Sequence, residues 1–315
     1  MNWIRCILSG IAGMALLYYG AEWLVKGGCG IARKCRVSPL VIGLTLVAFA
    51  TSAPELVVSV ISALEGYGDV SLGNVVGSNI CNITVILGLS ALIAPVAVHP
   101  GLLKLDMPLL AAASAALPAV VLATGGVGRI AAAAFLVCGL WYTVHQIRAS
   151  RRENREAEEL PAPETIRLWA AAVLVVIGLG ALTLGARIFV DSAVFAARHL
   201  GISDAVIGLT IVALGTSLPE LATSAVAAFK GEQDIAVGNV VGSNLMNILL
   251  ILGVAPLIRP IAAPGIRGLD FAVMLGATFA LWGLMYFRKR IGRGAGAAFL
   301  LAACAYTAYL ILRNG

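Results

Sequence analysis

The chain has 315 residues, of which 60% are hydrophobic and only 12% are charged, and its mean hydropathy is +0.96. Soluble proteins average about 25% charged residues, so this chain has too little polar surface to cover a globule in water. We therefore exclude a soluble enzyme and a soluble nucleic-acid-binding domain, and we expect lipid around most of the chain.

Apolar segments of the ~20 residues needed to cross a ~30 Å hydrocarbon core recur along the whole chain. They predict an all-α polytopic membrane protein with ten transmembrane helices, five in each half. The first segment is long and is followed by further spans, so we interpret it as a membrane helix and not as a cleaved signal peptide. The predicted spans lie near residues 5–25, 39–64, 70–94, 105–124, 129–147, 167–197, 204–229, 235–258, 269–287 and 294–312.

The net charge of +6 is better explained by membrane topology than by nucleic acid. When each Lys and Arg is assigned to the nearest end of a span, 15 of the 22 fall on one side of the membrane. The positive-inside rule makes that side cytoplasmic and places both termini outside the cytoplasm. A polar run at 149–166, with mixed charges and two prolines, predicts a cytoplasmic linker between a first unit, 1–148, and a second unit, 167–315.

Residues 41–88 and 206–253, which start 165 positions apart, carry nearly the same sequence. They align without a gap, and 28 of the 48 positions are identical. Because an odd number of spans precedes the second unit, that unit enters the membrane from the opposite side, and the two five-helix repeats are predicted to be inverted. Glu55 and Glu220, one acid in each copy, would then approach the membrane midplane from opposite faces and meet there.

Each copy interrupts its own helix just before the acid. Pro54 has no backbone N–H, and its ring clashes with the carbonyl of Ala50, so the helix is predicted to kink or unwind. Irregular backbone at membrane depth is tolerated only where it lines a cavity or meets a partner. Ser52 lies three residues before Glu55, so we expect its hydroxyl and the carboxylate to share one face. In the second copy the matching residues are Pro219 and Ser217.

The later part of each copy contains the run GNVVGSN and then a further asparagine. Ser78 and Asn82 are four residues apart and so project from one helix face, as do Ser243 and Asn247. Glycines spaced four apart in the same run let neighbouring helices approach closely, which would bring these polar groups toward the acids. These glycines are Gly73, Gly77, Gly238 and Gly242.

Together these groups offer carboxylates, hydroxyls, amide oxygens and freed backbone carbonyls, which are the hard ligands that Ca²⁺, Mg²⁺, Mn²⁺ or Na⁺ prefer. Two adjacent buried carboxylates repel each other unless a cation neutralises them, so one divalent or several monovalent ions would compete for the site. The alternatives are that each acid pairs with a basic residue of another helix, and that the serines bond their own helix backbone. No nucleophile–base pair indicates an enzyme, and no cofactor is predicted.

Charged residues at the ends of two spans have a simpler interpretation. Glu22, Arg187 and Asp191 lie near the ends of the first and sixth spans. We expect them to be solvated or to snorkel, with the charged group in water.

At the residues of the two copies the chain resembles the cation/calcium antiporter superfamily, the sodium/calcium exchangers and their bacterial relatives. The family's repeat signatures match GLT at 43–45 with TSAPE at 51–55, and GLT at 208–210 with TSLPE at 216–220. GNVVGSN at 73–79 and 238–244 completes them, and the resemblance covers the whole ten-helix layout.

The resemblance implies a role for each matching residue. Glu55 and Glu220 would be the central acids that bind Ca²⁺ and Na⁺, and Thr51 and Thr216 would supply backbone carbonyls around the calcium ion. It also implies that the first and sixth helices slide across the remaining bundle. The outlying sodium sites would be formed by Ala48 with Ser243 and by Ala213 with Ser78, alongside Ser52 and Ser217.

One position departs from the family pattern. Asn82 and Asn247 are both amides, whereas well-studied sodium/calcium exchangers have Asn in the first repeat and Asp in the second. The site therefore has one carboxylate fewer, and an amide is a near-isosteric substitute for a protonated Asp.

We predict a sodium/calcium antiporter, not an enzyme, that moves Ca²⁺ out of the cytoplasm against Na⁺ entry by alternating access. The alternatives are a calcium or other divalent cation/proton antiporter on the same fold and, from another class, a cation channel. We expect a multi-pass protein of a cell membrane, with a bacterial inner membrane favoured. Its partners would be the lipid bilayer and inorganic cations, with no nucleic acid and no obligate protein partner.

Overall fold

Long apolar helices make up almost all of the chain that the structure, a computed structural model, describes. It describes residues 3–156, 166–200, 213–262 and 264–314. The helices are α1 Trp3–Cys35, α2 Pro39–Thr51, α3 Ala53–Glu65, α4 Gly68–Ile93, α5 Leu102–Thr124, α6 Arg129–Glu156, α7 Leu168–His199, α8 Ala213–Gly215, α9 Leu218–Phe229, α10 Gln233–Ile258, α11 Gly268–Arg288 and α12 Arg293–Asn314. Four two-residue strands join them: β1 Val96–Ala97, β2 Gly126–Val127, β3 Ile261–Ala262 and β4 Arg290–Ile291.

The helix lengths confirm an all-helical polytopic membrane protein. Within the described ranges, eight helices are long and apolar enough to cross a membrane, and α2 with α3 makes a ninth candidate that is bent by 47°. The predicted span at 204–229 falls partly outside the described residues, which there begin with α8. The predicted count of ten therefore stays a prediction.

Two predicted helix ends were wrong, each by about a third of the length of the helix. α1 continues to Cys35, beyond the expected end near residue 25, and stops where Arg36 adopts a left-handed φ of 53°. α6 continues to Glu156, through the first part of the expected linker. Arg, Glu and Ala are good helix formers, which accounts for the continuation of α6. The end of α1 contains Gly27, Gly28 and Gly30, and it continues where Gly27 and Gly30 pack against Ala171 of α7. Residues 157–165 of the predicted linker lie outside the described part of the chain.

α1 and α7 pack backbone to backbone along an antiparallel seam. Small residues recur every seven positions on both helices, which keeps them on the facing sides. A Cβ placed on Gly20 would lie 2.8 Å from the backbone N of Leu182, closer than real Cβ contacts, so glycine is required there. The facing pairs are Cys6 and Ser192, Gly13 and Gly185, Gly20 and Gly178, and Gly27 and Ala171.

The short strands join the two halves of the chain reciprocally. β1 pairs antiparallel with β4, and β2 pairs antiparallel with β3, so each pair takes one strand from each half. Beside them, Arg129 Nε donates to the carbonyl of Leu257 at 3.2 Å, and Arg293 Nε donates to the carbonyl of Leu92 at 3.1 Å. These guanidinium groups satisfy carbonyls at helix ends that have no partner within the helix.

A duplicated buried pair lies outside the 48-residue repeat. Tyr142 on α6 donates to Asp106 on α5 at 2.8 Å, and Tyr306 on α12 donates to Asp270 on α11 at 2.9 Å. Gln146 also donates to the same oxygen of Asp106. The two pairs tie corresponding helices together in each half, which indicates that the repeat extends well past the matching motifs.

α4 and α10 form the buried centre, and α2 crosses α10 at very short range. A Cβ on Gly238 would lie 2.8 Å from the Leu40 carbonyl, and one on Gly242 would lie 2.7 Å from Leu44 Cα. This confirms the close crossing predicted for the second copy. The residues that match α2 in the second copy, 204–212, lie outside the described ranges, so the crossing predicted at Gly73 and Gly77 stays a prediction.

The two halves are not packed equally. α1 lies along α9, whereas α7 has no comparable packing against α3. As a result Val226 of α9 is 7% exposed, and Ile61 at the matching position of α3 is 49% exposed. The bundle is therefore closed beside α9 and open beside α3.

Candidate cation-binding site

Two broken helices bring the acids to the centre of the molecule. α2 ends at Thr51, Ser52 leaves the helix with φ −81° and ψ 5°, and α3 starts with Pro54 and Glu55 in its first turn. This confirms the break predicted from Pro54. In the second half Ser217 has nearly the same conformation, φ −87° and ψ 4°, ahead of Pro219 and Glu220 in α9.

Each acid is held by a serine of the other half. Ser52 Oγ donates to Glu220 Oε1 at 3.0 Å, and Ser217 Oγ donates to Glu55 Oε1 at 3.2 Å. Ser52 therefore bonds the acid of the opposite half and not Glu55, and the expectation that its hydroxyl shares a face with the Glu55 carboxylate stays a prediction. Both carboxyl groups are 1% exposed, and the exchanged hydrogen bonds place them next to each other.

The second oxygen of each carboxyl group is buried without a hydrogen-bond partner in the described part of the chain. These atoms are Glu55 Oε2 and Glu220 Oε2. No Lys or Arg among the described residues forms an ion pair with either acid, so the alternative of a structural ion pair finds no support there. Leaving a buried carboxylate oxygen unpaired is costly, and a bound cation would offset that cost.

The two asparagines that depart from the family pattern are oriented by a second exchange between the halves. Asn82 Nδ2 donates to Asn244 Oδ1 at 3.0 Å, and Asn247 Nδ2 donates to Asn79 Oδ1 at 3.0 Å. In this arrangement the nitrogen of each of the two amides is directed to an asparagine of the other half. Asn82 Oδ1 and Asn247 Oδ1 are left buried without a partner in the described residues.

Both of these asparagines open a short π-helical segment, Asn82–Leu87 in α4 and Asn247–Ile251 in α10. A π segment inserts an extra residue into the turn and changes the direction of the side chains, and it is frequent at functional sites. Sequence reasoning did not predict these segments.

A further pair of asparagines fixes the backbone at the breaks. Asn74 Nδ2 donates to the carbonyl of Glu55 at 3.1 Å and to Ser59 Oγ at 2.9 Å. Asn239 Nδ2 donates to the carbonyl of Glu220 at 3.4 Å, and its Oδ1 accepts from Thr51 Oγ1 at 3.1 Å. Asn74, Asn79, Asn239 and Asn244 were all missed as site residues, although the two identical GNVVGSN runs contain every one of them.

The remaining predicted residues are buried or half-buried where the structure describes their side chains. Thr51 is fully buried, the Thr216 hydroxyl is buried, and Ser78 is 6% exposed. Ser243 Oγ is buried without a partner in the described residues. Ala48 lies against Gly242, which directly precedes Ser243, and the outlying sodium site at Ala48 and Ser243 stays a prediction. Ala213 starts the short helix α8, and its side chain lies outside the described part of the structure.

The partnerless oxygens form a set that suits a hard cation. Each half supplies one carboxylate oxygen and one amide oxygen of this kind, and the hydroxyl oxygens of Ser243 and Thr216 are also buried without a partner among the described residues. No group of three or more His, Cys, Asp or Glu side chains within the described ranges could hold a metal. Two carboxylates with neutral oxygens are a hard ligand set, of the kind that suits Ca²⁺ or Na⁺ better than transition metals.

Comparison with known proteins identifies relatives along the whole chain. The family model described as sodium/calcium exchanger protein matches residues 6–148 and 170–312. The candidate antiporter CaxA of Alkalimonas amylolytica is 40% identical over 316 residues, covering 96% of this chain and 98% of that protein. The sodium/calcium exchanger MaX1 of Methanosarcina acetivorans is 33% identical and covers 80% of this chain and 83% of its own length.

Solved structures agree with these relatives. The sodium-calcium exchanger NCX_Mj, soaked with zero Na⁺ and Ca²⁺, matches with a TM-score of 0.83 at 34% identity over 98% of this chain and 100% of that chain. The same exchanger soaked with 2.5 mM Na⁺ and 1 mM Sr²⁺ matches with a TM-score of 0.84 at 33% identity, over 98% of this chain and 99% of that chain. The chain therefore belongs to the sodium/calcium exchanger protein family.

Proposed function

We propose that this protein is a sodium/calcium antiporter that moves Ca²⁺ out of the cytoplasm in exchange for Na⁺. The observation that carries the proposal is that each half contributes one carboxylate oxygen and one amide oxygen that are buried without a hydrogen-bond partner among the described residues. Family membership and the relatives named as exchangers support the same activity.

The proposed architecture is a pair of inverted five-helix repeats, 1–148 and 167–315, joined by a cytoplasmic linker at 149–166. The two separate family-model matches and the reciprocal strand pairs support it. The charge distribution assigns the surface around Lys230 to the cytoplasm and both termini to the outside. Tags on either terminus should therefore be cleaved by a protease added to spheroplasts, whose inner membrane is intact.

The proposed ligands divide into a centre and a periphery. Glu55 and Glu220 supply the central charge, and the amide oxygens of Asn82 and Asn247 complete the centre. The backbone carbonyls of Thr51 and Thr216 would contribute to the same calcium site. The peripheral sodium ligands are Ser52, Ser217, Ser78, Ser243, Ala48 and Ala213.

Coupling follows from competition for one set of oxygens. The repulsion between two adjacent carboxylates is relieved by one divalent ion or by two to three monovalent ions. The site cannot hold the divalent ion and the monovalent ions at the same time. If three Na⁺ exchange for one Ca²⁺, one net charge crosses the membrane, and a potential of 100 mV contributes about 2.3 kcal/mol per cycle.

The test is ⁴⁵Ca²⁺ uptake into proteoliposomes that are loaded with Na⁺ and diluted into Na⁺-free buffer. We expect uptake that depends on the outward Na⁺ gradient and is absent when Na⁺ is equal on both sides. Uptake driven by a pH gradient and not by the Na⁺ gradient would establish proton coupling instead. Flux that needs no counter-ion gradient would identify a channel.

A further inference from the structure

One ion pair connects α1 to the end of α9 on the closed side of the bundle. Glu22 on α1 and Lys230, directly after α9, approach to 2.5 Å, and their side chains are 30% and 34% exposed. The expectation that Glu22 is merely solvated or snorkels was therefore wrong. The pair joins the α1–α7 unit to the helix that carries Glu220.

The internal repeat contains the same two positions with the charges exchanged. In the internal repeat, the position that corresponds to Glu22, 165 residues later, is Arg187 on α7. The position that corresponds to Glu65, at the end of α3, is Lys230. The preceding Gly-Ala dipeptide is identical at 20–21 and 185–186, which fixes this register. The chain thus has a second potential ion pair, Arg187 with Glu65.

The second pair is not formed in this state. Both Arg187 and Glu65 are exposed, and no ion pair joins them in the described part of the structure. This agrees with the helix packing, since α1 lies along α9 and α7 has no comparable packing against α3. The first ion pair is therefore formed where the bundle is closed, and the residues of the second are separated where the bundle is open.

We propose that the two pairs are alternating latches of the transport cycle. Glu22 with Lys230 stabilises the state described here. When the α1–α7 unit moves so that α7 covers α3, Glu22 separates from Lys230, and Arg187 reaches Glu65. This inference rests on the proposed function, because it assumes that the molecule alternates between two such states.

The two latches should shift the equilibrium in opposite directions. Removing Glu22 or Lys230 weakens only the present state, and removing Arg187 or Glu65 weakens only the opposite state. Because the formed pair is about one third exposed, each single substitution should change the population ratio by ~1.5- to 5-fold, the range that exposed ion pairs give.

The experiment measures that ratio by double electron–electron resonance. Spin labels are placed at Lys34 on α1 and Arg288 on α11, in a background whose six cysteines are replaced and which still binds Ca²⁺. Glu22→Gln and Lys230→Gln should deplete the distance population that matches this structure, and Glu65→Gln and Arg187→Gln should enrich it. The charge-exchanged double variant Glu22→Lys with Lys230→Glu should restore the wild-type ratio.

Lys26→Gln is the matched control, because Lys26 lies one turn from Glu22 and has no ion pair among the described residues.

Shifts of the same sign at both pairs, unchanged populations, or no restoration in the double variant would each overturn the proposal. Failure of the proposed function is distinguishable from these results. If the wild type shows no Na⁺-driven ⁴⁵Ca²⁺ uptake but the four variants shift the populations as stated, the latches stand and the transported ions must be reassigned.

Discussion

Asn82 and Asn247 act through both ends of their amides. Each amide nitrogen is committed to an asparagine of the other half, so each oxygen is left for the centre of the site. An ionised aspartate at the same position cannot donate that hydrogen bond. In the proposed site the amides would combine two tasks, orientation and ligation, and they would add no charge to the two carboxylates.

Glu55 and Glu220 are expected to be indispensable. Glu55→Gln or Glu220→Gln removes half of the charge that binds the cation, and ligand charge is a principal determinant of calcium affinity. We expect Ca²⁺ binding to weaken by at least ~100-fold, measured by isothermal titration calorimetry on purified protein. Asp191→Asn, at an exposed position on α7, is the matched control and should bind like wild type. Near-wild-type affinity in either Gln variant would exclude these acids as the centre.

Asn244 is expected to act as a positioning residue. Asn244→Leu removes the acceptor that holds the Asn82 amide, so the amide can rotate and present its NH₂ group to the cation. We expect Ca²⁺ affinity to fall ~10- to 100-fold, as for other residues that orient metal ligands. Asn244→Asp keeps an acceptor oxygen and should retain most of the affinity. If both variants lose affinity equally while unfolding at the same temperature as wild type, the hydrogen bond to Asn82 is not the cause.

At the scale of helices, the crossing of α2 with α10 is set by glycine. A Cβ at Gly242 would overlap the backbone of Leu44, so Gly242→Ala should destabilise the protein by ~1–3 kcal/mol, the usual cost of overpacking. Gly276→Ala is the control, since no atom lies within 4 Å of a Cβ there. That change should be neutral or stabilising by up to ~1 kcal/mol, because Ala has the higher helix propensity. Thermal unfolding in detergent distinguishes the two, and equal melting temperatures would contradict this packing.

The helices themselves were largely predictable, because hydropathy fixes where a chain can cross lipid and Pro54 fixes where α2 must end. The continuation of α6 to Glu156 was not, since nothing apolar marks a helix that has left the membrane. The two acids, the serines and the pair Asn82 and Asn247 were proposed from their repetition, whereas the asparagines of the GNVVGSN runs were missed. The hydrogen bonds that these residues exchange between the halves were not predicted. They depend on how the turns at Ser52 and Ser217 face each other once the two broken helices have crossed.

At the scale of the whole molecule, the sequence repeat is nearly symmetric and the structure is not. Hydrogen bonds at the centre match between the halves, yet α9 is covered and α3 is open. A molecule with equivalent halves can adopt a second state by exchanging their packing. The close seam between α1 and α7 would let these two helices move as one unit in that exchange.

The central claim is that Ca²⁺ and Na⁺ compete for one site built by both halves. Equilibrium ⁴⁵Ca²⁺ binding to the purified protein at increasing Na⁺ tests it most directly. We predict that the apparent Kd for Ca²⁺ rises more steeply than the first power of the Na⁺ concentration, while the maximum amount bound stays constant. A Kd that does not depend on Na⁺, or a maximum that falls as Na⁺ rises, would contradict a single shared site.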